Sequence, residues 1–216
     1  TSYYGFNAYW TPESAGSVPS ISVGYESGDV EGAILSYEKA LELDPNFAEP
    51  LSNLAGIYKD LGNTQKAFIF ARKALTINPN LFEANTNLGN LLVGEGKHLE
   101  AIEKYKTALR SQPNSRETLY NLGLALKEAR FNKFDQVLAA QVLMLLKSNG
   151  LVSPISICRS VLSLLRHNTL VKEVLLNQVD ISATYLCQKL VNLVEVPLLL
   201  EIMSLCPILD TEFEQR

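Results

Sequence analysis

Two histidines and three cysteines are all that the 216-residue chain holds of the residue types most used for metal ligation and nucleophilic catalysis. Neither His98 nor His167 has a motif partner, and each falls at a helix end, where a solvated or capping imidazole is the ordinary explanation. Cys158, Cys187 and Cys206 are odd in number and far apart, with no CxxC spacing and no histidine at ligand distance. That pattern excludes a disulfide framework and a zinc site, and it indicates reduced, buried thiols and a cytoplasmic setting. Concentrated positive charge is also missing. Lys and Arg number 19 against 23 Asp and Glu, for a net charge of −4, and no basic stretch could neutralise a row of phosphates, so nucleic acid is not expected as a partner. No apolar run reaches the roughly 20 residues of a spanning helix, and no membrane partner is expected. The chain opens on Thr1 without a basic segment followed by an apolar stretch and a cleavage site. No signal peptide is read, and the sequence is expected to be a piece of a longer protein.

One stretch, Gly94 to Glu100 ("GEGKHLE"), superficially resembles a phosphate loop. That motif needs four residues between its glycines and Ser or Thr after the lysine, whereas here the glycines are one residue apart and His98 follows Lys97. Acidic residues are plentiful but fall on the solvent faces of amphipathic helices, where they mean solubility. No catalytic residue, metal site or cofactor is expected.

What the sequence does contain is a period. "ALELDPNF", "ALTINPNL" and "ALRSQPNS" place Pro45, Pro79 and Pro113 at intervals of 34 residues. Between the first two prolines, apolar residues recur at helical spacing twice, Leu51, Leu54, Ala55 and Tyr58 and then Ala67, Ala71, Ala74 and Leu75, with Gly62 and Asn63 dividing the runs. The unit is therefore two helices and a turn. The next unit repeats the register with Leu88, Gly89, Leu92, the turn at Gly96, Ala101, Tyr105, Ala108 and Leu109. A further first helix carries Leu119, Leu122, Gly123 and Leu126, and a lone second helix with Ala33, Tyr37, Ala40 and Leu41 precedes them all, with Gly28 at its turn. Proline cannot continue a helix, so at each second-helix end it fixes where the chain turns.

This pattern, with a small residue at Gly89 and Gly123, alanines at Ala67 and Ala101 and the terminal prolines, resembles the tetratricopeptide repeat family over residues 29–130. The resemblance implies an all-α, right-handed helical-hairpin solenoid of two full repeats flanked by halves. Two departures stand out: Asn85 occupies a place usually bulky and apolar, and Asp135 stands where a second-helix alanine belongs, so the array is expected to degenerate after Arg130.

The flanks differ. In residues 1–28, Tyr4, Phe6, Ala8 and Trp10, then Ile21, Val23 and Tyr25, alternate at strand period around a "TPESAGS" turn, which predicts a short β-hairpin. It resembles a strand pair of a bacterial outer-membrane porin and is expected to be foreign to the repeats, with a native capping hairpin as the alternative. Residues 131–216 predict five further helices that would cover the end of the stack. Their last stretch resembles the helical connector that precedes a methyltransferase or glycosyltransferase domain in some bacterial repeat proteins.

In stacked helix pairs the first helices line the concave side. One stripe away from their core face lie Glu49, Ser52, Asn53, Gly56 and Lys59; Glu83, Thr86, Asn87, Asn90 and Val93; and Glu117, Tyr120, Asn121, Leu124 and Lys127. Asn53, Asn87 and Asn121 recur at the proline period, and a carboxamide can both donate to and accept from an extended peptide backbone. The family resemblance implies that role for asparagines at matching positions. The lysines and arginines with which some members clamp a terminal carboxylate are absent, and the glutamate stripe favours neutral or basic peptides. The expected function is a non-enzymatic protein-interaction scaffold; the alternative is the substrate-recruiting front part of a bacterial transferase whose catalytic domain follows. An open repeat end at Gly28 also makes self-association an expectation.

Overall fold

The computed structural model describes residues 30–148, 150–169 and Leu198. Among them are eight helices: α1 (Val30–Leu43), α2 (Ala48–Asp60), α3 (Thr64–Ile77), α4 (Phe82–Gly94), α5 (His98–Ser111), α6 (Arg116–Glu128), α7 (Gln136–Lys147) and α8 (Pro154–Leu165). No strand occurs among the described residues. The hairpin expected over 1–28, the turn at Gly28 and nearly all of the three helices expected after residue 168 lie outside them. The chain divides into two compact units, Thr1–Leu91 and Leu92–Arg216.

Two kinds of turn alternate. Between α2 and α3 the Asn63 N–H donates back to the Tyr58 carbonyl (2.8 Å) and the Gly62 N–H to that of Lys59 (3.0 Å). Between α4 and α5, Lys97 donates to Leu92 and Gly96 to Val93, both at 2.9 Å. This paired closure needs a left-handed residue after the helix, and Gly62 and Gly96 supply it at φ of 74° and 72°. Each Pro stretch closes differently: the N–H groups of Phe47, Leu81 and Ser115 donate to the carbonyls of Asp44, Asn78 and Gln112, each at 3.2 Å. Proline stands second in all three turns, where its fixed φ is the one required. Asp44 and Asn78 also accept the N–H of Asn46 (2.9 Å) and Asn80 (3.2 Å) through their side chains.

In the first unit, α2 packs on both α1 and α3. Leu54 meets Ala33 and Tyr37 of α1, while Leu51 meets Ala74 of α3 and Ala84 of α4. Alanines at 67, 71, 74 and 84, all at 0% exposure, let these backbones come close. Half-buried against the Ala33, Tyr37 and Leu54 cluster, the Tyr58 and Phe70 rings stack 5.4 Å apart at an interplanar angle of 3°, and the Lys66 ammonium sits 4.7 Å from the Tyr58 ring centre. Asn85, at 1% exposure, replaces the leucines at 51 and 119. Its amide donates to the carbonyls of Pro79 and Leu81, both at 2.9 Å, so the residue that breaks the apolar pattern ties α4 to the preceding turn.

In the second unit, α6 packs on α5, α7 and α8. The repeat motif fades after Arg130, but helices keep stacking as α7 lies on α5 and α6, and α8 on α6 and α7. Asp135, the second departure, is the N-cap of α7: its carboxylate accepts the Leu138 N–H at 2.9 Å. It also pairs with Lys106, 8% exposed on α5, which pairs in turn with Glu103 at 2.6 Å. Burial alone would lower the Lys106 pKa, but its two carboxylate partners outweigh that and raise it. Burial opposes ionisation of Asp135 too, and Lys106 with the α7 backbone amides reverses it, leaving its pKa lowered. Gly123 is required by close approach, because a Cβ there would lie 2.3 Å from Val152 Cγ2.

Caps expose an imbalance that can be tested. Asn63 caps α3 by accepting the Lys66 N–H at 3.1 Å, whereas the equivalent Lys97 makes no side-chain cap on α5. Lys97→Asn is expected to stabilise the protein by about 1 kcal/mol in urea unfolding, since its ion pair with Glu95 is exposed and contributes little. Asp135→Ala removes the cap and leaves Lys106 with Glu103 as its one carboxylate partner among the described residues, at a cost of about 2 kcal/mol, whereas Asp135→Asn keeps the cap and loses less. A carboxylate with a lowered folded pKa stabilises above its unfolded pKa and stops doing so as pH falls through the folded one. Melting curves below about pH 4 should therefore fall more steeply for the native protein than for Asp135→Asn.

Candidate functional site

The first helices α2, α4 and α6 carry every residue of the predicted binding face. Glu49, Glu83 and Glu117 lie in their first turns and are exposed. Each complements the positive end of its helix dipole, so the acidic stripe has a local structural cause as well as any binding role. None makes an ion pair among the described residues. Lys59 is half-buried and spans 3.5 Å to Asp60, while Lys127 is exposed. Tyr120 is exposed at 44%. Gly56, Val93 and Leu124 are half-buried.

Two members of the predicted stripe are corrected. Ser52 and Thr86 are 1% and 6% exposed, inside the packed side of their helices. The cause is that a first helix has neighbours on two sides, as α2 has in α1 and α3, so its buried arc is wider than the amphipathic pattern suggests. Tyr120, at the same repeat position, escapes to the surface.

The asparagines are half-buried, and their amides are already engaged. Asn53 hydrogen-bonds the hydroxyl of Tyr37, a ring 4% exposed on α1. Burial pushes the Tyr37 pKa up, and this hydrogen bond pulls it part of the way back. At the next repeat Ala71 replaces that tyrosine, so no phenol meets Asn87, whose Nδ2 instead donates to the Ser52 carbonyl at 3.2 Å. Gly56 lies beside it, and a Cβ there would reach ordinary contact with the same nitrogen at 3.4 Å. Asn90 and Asn121 are half-buried and each is engaged by a neighbour. Tyr105, which repeats Tyr37 in the second unit, has its pKa driven far up by burial and further by the Glu117 carboxylate.

Similar side-chain contacts join helices elsewhere at nearly one repeat's distance. Gln141 Nε2 of α7 donates to the Lys106 carbonyl of α5 at 3.0 Å. The Ser160 hydroxyl of α8 bonds the Leu126 carbonyl, and lies 2.8 Å from that of Ala129. The Arg130 guanidinium reaches Ser160 Oγ at 3.3 Å, and His167 Nε2 lies 3.1 Å from the Phe131 carbonyl. None of these was legible in the sequence, where Gln141 and Ser160 look like ordinary polar interruptions. The separation of about 34 residues between partners is the one signal that could have found them.

His98 opens α5 with a buried Nδ1 that has no hydrogen-bond partner among the described residues, and Cys158 is buried. Among the described residues no group of three or more His, Cys, Asp or Glu is placed to hold a metal ion, and no helix is long and apolar enough to cross a membrane.

Residues 23–62 and 89–129 match the family model described as TPR repeat, and residues 48–81 match that described as tetratricopeptide repeat. No curated protein matches the chain. Among solved structures, a mutant of the O-GlcNAc transferase of Thermobaculum terrenum is 25% identical over 56% of this chain, which spans 23% of that protein's length, with a TM-score of 0.47. YrrB, described as a TPR protein with an unusual peptide-binding site, is 19% identical over 82% of this chain and 94% of its own, with a TM-score of 0.40. MamA is 23% identical over 82% and 90%, with a TM-score of 0.45. At these scores the likenesses carry no functional argument, and the family rests on the repeat matches.

The engaged amides make a stability prediction. Asn53→Ala and Asn87→Ala are each expected to cost about 1 kcal/mol in urea unfolding, the net worth of a partly buried hydrogen bond. Adding Tyr37→Phe to Asn53→Ala should cost little more, because the two changes remove one shared interaction.

Proposed function

Because its helical-hairpin array belongs to the tetratricopeptide repeat family, we propose that this protein is a protein-interaction scaffold in which the first helices of each unit receive an extended peptide segment. The observation that carries the reading is the repeated exposed face. At one register, α2, α4 and α6 each present an exposed glutamate, Glu49, Glu83 and Glu117, which makes no ion pair among the described residues, beside half-buried carboxamides. With its amide tied to Ser52 through Nδ2, Asn87 is a fixed group whose Oδ1 can accept from a peptide N–H. Asn53, held by Tyr37, is similarly oriented in advance. Fixed groups lose less freedom on binding, which favours recognition of a backbone over a particular side chain.

Charge sets the preference. Lys59 is already matched by Asp60, so the glutamates dominate the exposed charge of α2 and α4, and neutral or basic peptides fit better than acidic ones. Exposed charges at this spacing act mainly on encounter and are screened by salt.

The test is fluorescence anisotropy of the full chain with labelled extended peptides of basic, neutral and acidic composition. The basic peptide is expected to bind most tightly, and Glu49→Gln, Glu83→Gln and Glu117→Gln together should weaken it roughly tenfold at low salt. An acidic peptide that binds as well as its basic counterpart would contradict the reading.

A further inference from the structure

The second unit contains a first helix that the repeat motif does not mark. On α6 the buried residues are Thr118, Leu119, Leu122, Gly123, Ala125 and Leu126. Adding 39 to each number gives Ile157, Cys158, Val161, Leu162, Leu164 and Leu165, all buried on α8. All six coincide, and α8 buries Ser160 besides, at the place of the half-buried Asn121, so its buried arc contains that of α6 and is one residue wider. It packs against α6, and Ser160 fastens it to the carbonyls of Leu126 and Ala129. The longer interval arises largely in the connections: residues 129–135 replace a three-residue glycine turn such as 61–63, and residues 148–153 replace a four-residue proline turn such as 112–115.

We infer that within the second unit the peptide-docking face continues from α6 onto α8, and that α8 selects acidic side chains of an extended peptide where α6, through Glu117, selects basic ones. The inference rests on the docking reading above. In the shared register Glu117 corresponds to Ser156, Tyr120 to Arg159 and Lys127 to Arg166. Ser156, Arg159 and Arg166 are all exposed. The two arginines and Lys127 make no ion pair among the described residues. The acid at the start of the first helix is thus gone on α8, and two guanidiniums stand along the corresponding line. Arginine offers a planar fork of donors suited to a carboxylate. A partner matched to both helices carries basic residues followed or preceded by acidic ones, its order depending on the direction in which it lies.

Two peptides separate the outcomes: an extended lysine-containing peptide, and the same peptide with two aspartates at one end, prepared in both orders. Binding to the full chain and to the Arg159→Ser, Arg166→Ser double variant is measured by anisotropy. Native protein should bind one of the charge-split orders roughly threefold to tenfold more tightly than the uniformly basic peptide, and the variant should lose that gain while keeping its affinity for the basic peptide. Both surface changes leave the buried arc of α8 intact, and circular dichroism of the variant checks that. If the basic peptide binds but neither aspartate order gains over it, or the gain survives in the variant, the extension onto α8 is wrong and the docking face ends at α6. If no peptide binds the native chain, the docking reading fails and this inference with it.

Discussion

A helix pair of this size cannot bury its apolar side alone, and the rest of the structure follows from that constraint. Each first helix must have neighbours on both flanks, as α2 has in α1 and α3, which is why its buried arc takes in Ser52 as well as Leu51 and Leu54. Close approach then demands small residues at the contacts. The alanines at 67, 71, 74 and 84 and the glycine at 123 meet that demand, and the last is so tightly faced by Val152 that no larger residue fits without movement. The alternating turns serve the same end: a glycine turn folds each pair back on itself, and a proline turn sends the chain on to the next pair.

Stacking also decides where buried polar groups find partners. A helix interior satisfies its own amides but leaves carbonyl oxygens with a spare lone pair, and side chains from the neighbouring layer use it. Asn87 reaches Ser52, Gln141 reaches Lys106 and Ser160 reaches Leu126 in this way. Each bond is worth only about 1 kcal/mol net, but each works in one register only, so together they specify how successive helices slide against each other. The Lys106–Asp135 pair does the same for the entry of α7, joining a helix cap to a largely buried ammonium.

Much of this was legible beforehand because the period, the glycine turns and the proline turns depend on local chemistry, and they lie where the spacing put them. The two departures were visible as well, but their meaning was not. Asn85 and Asp135 looked like defects in an apolar pattern; in three dimensions one closes a turn and the other caps a helix. The motif fades after Arg130, yet α7 and α8 continue to stack, because packing requires a buried arc of the right width and not a particular set of residues. The proposed binding face was the least legible part. Whether a polar residue beside the core stripe is buried, like Thr86, or exposed, like Tyr120, depends on neighbours far away in the chain.

The proposed function puts recognition on the exposed faces of the first helices. A titration of the isotopically labelled chain with a basic extended peptide, followed by amide and side-chain NMR shifts, addresses it most directly. The largest changes should fall on the carboxamides of Asn87 and Asn90 and on the backbone around Glu83, Glu117 and Tyr120, with α3 and the outer side of α5 left quiet. Shifts concentrated on α3 and α5 instead would place the binding surface on the second helices and contradict the claim.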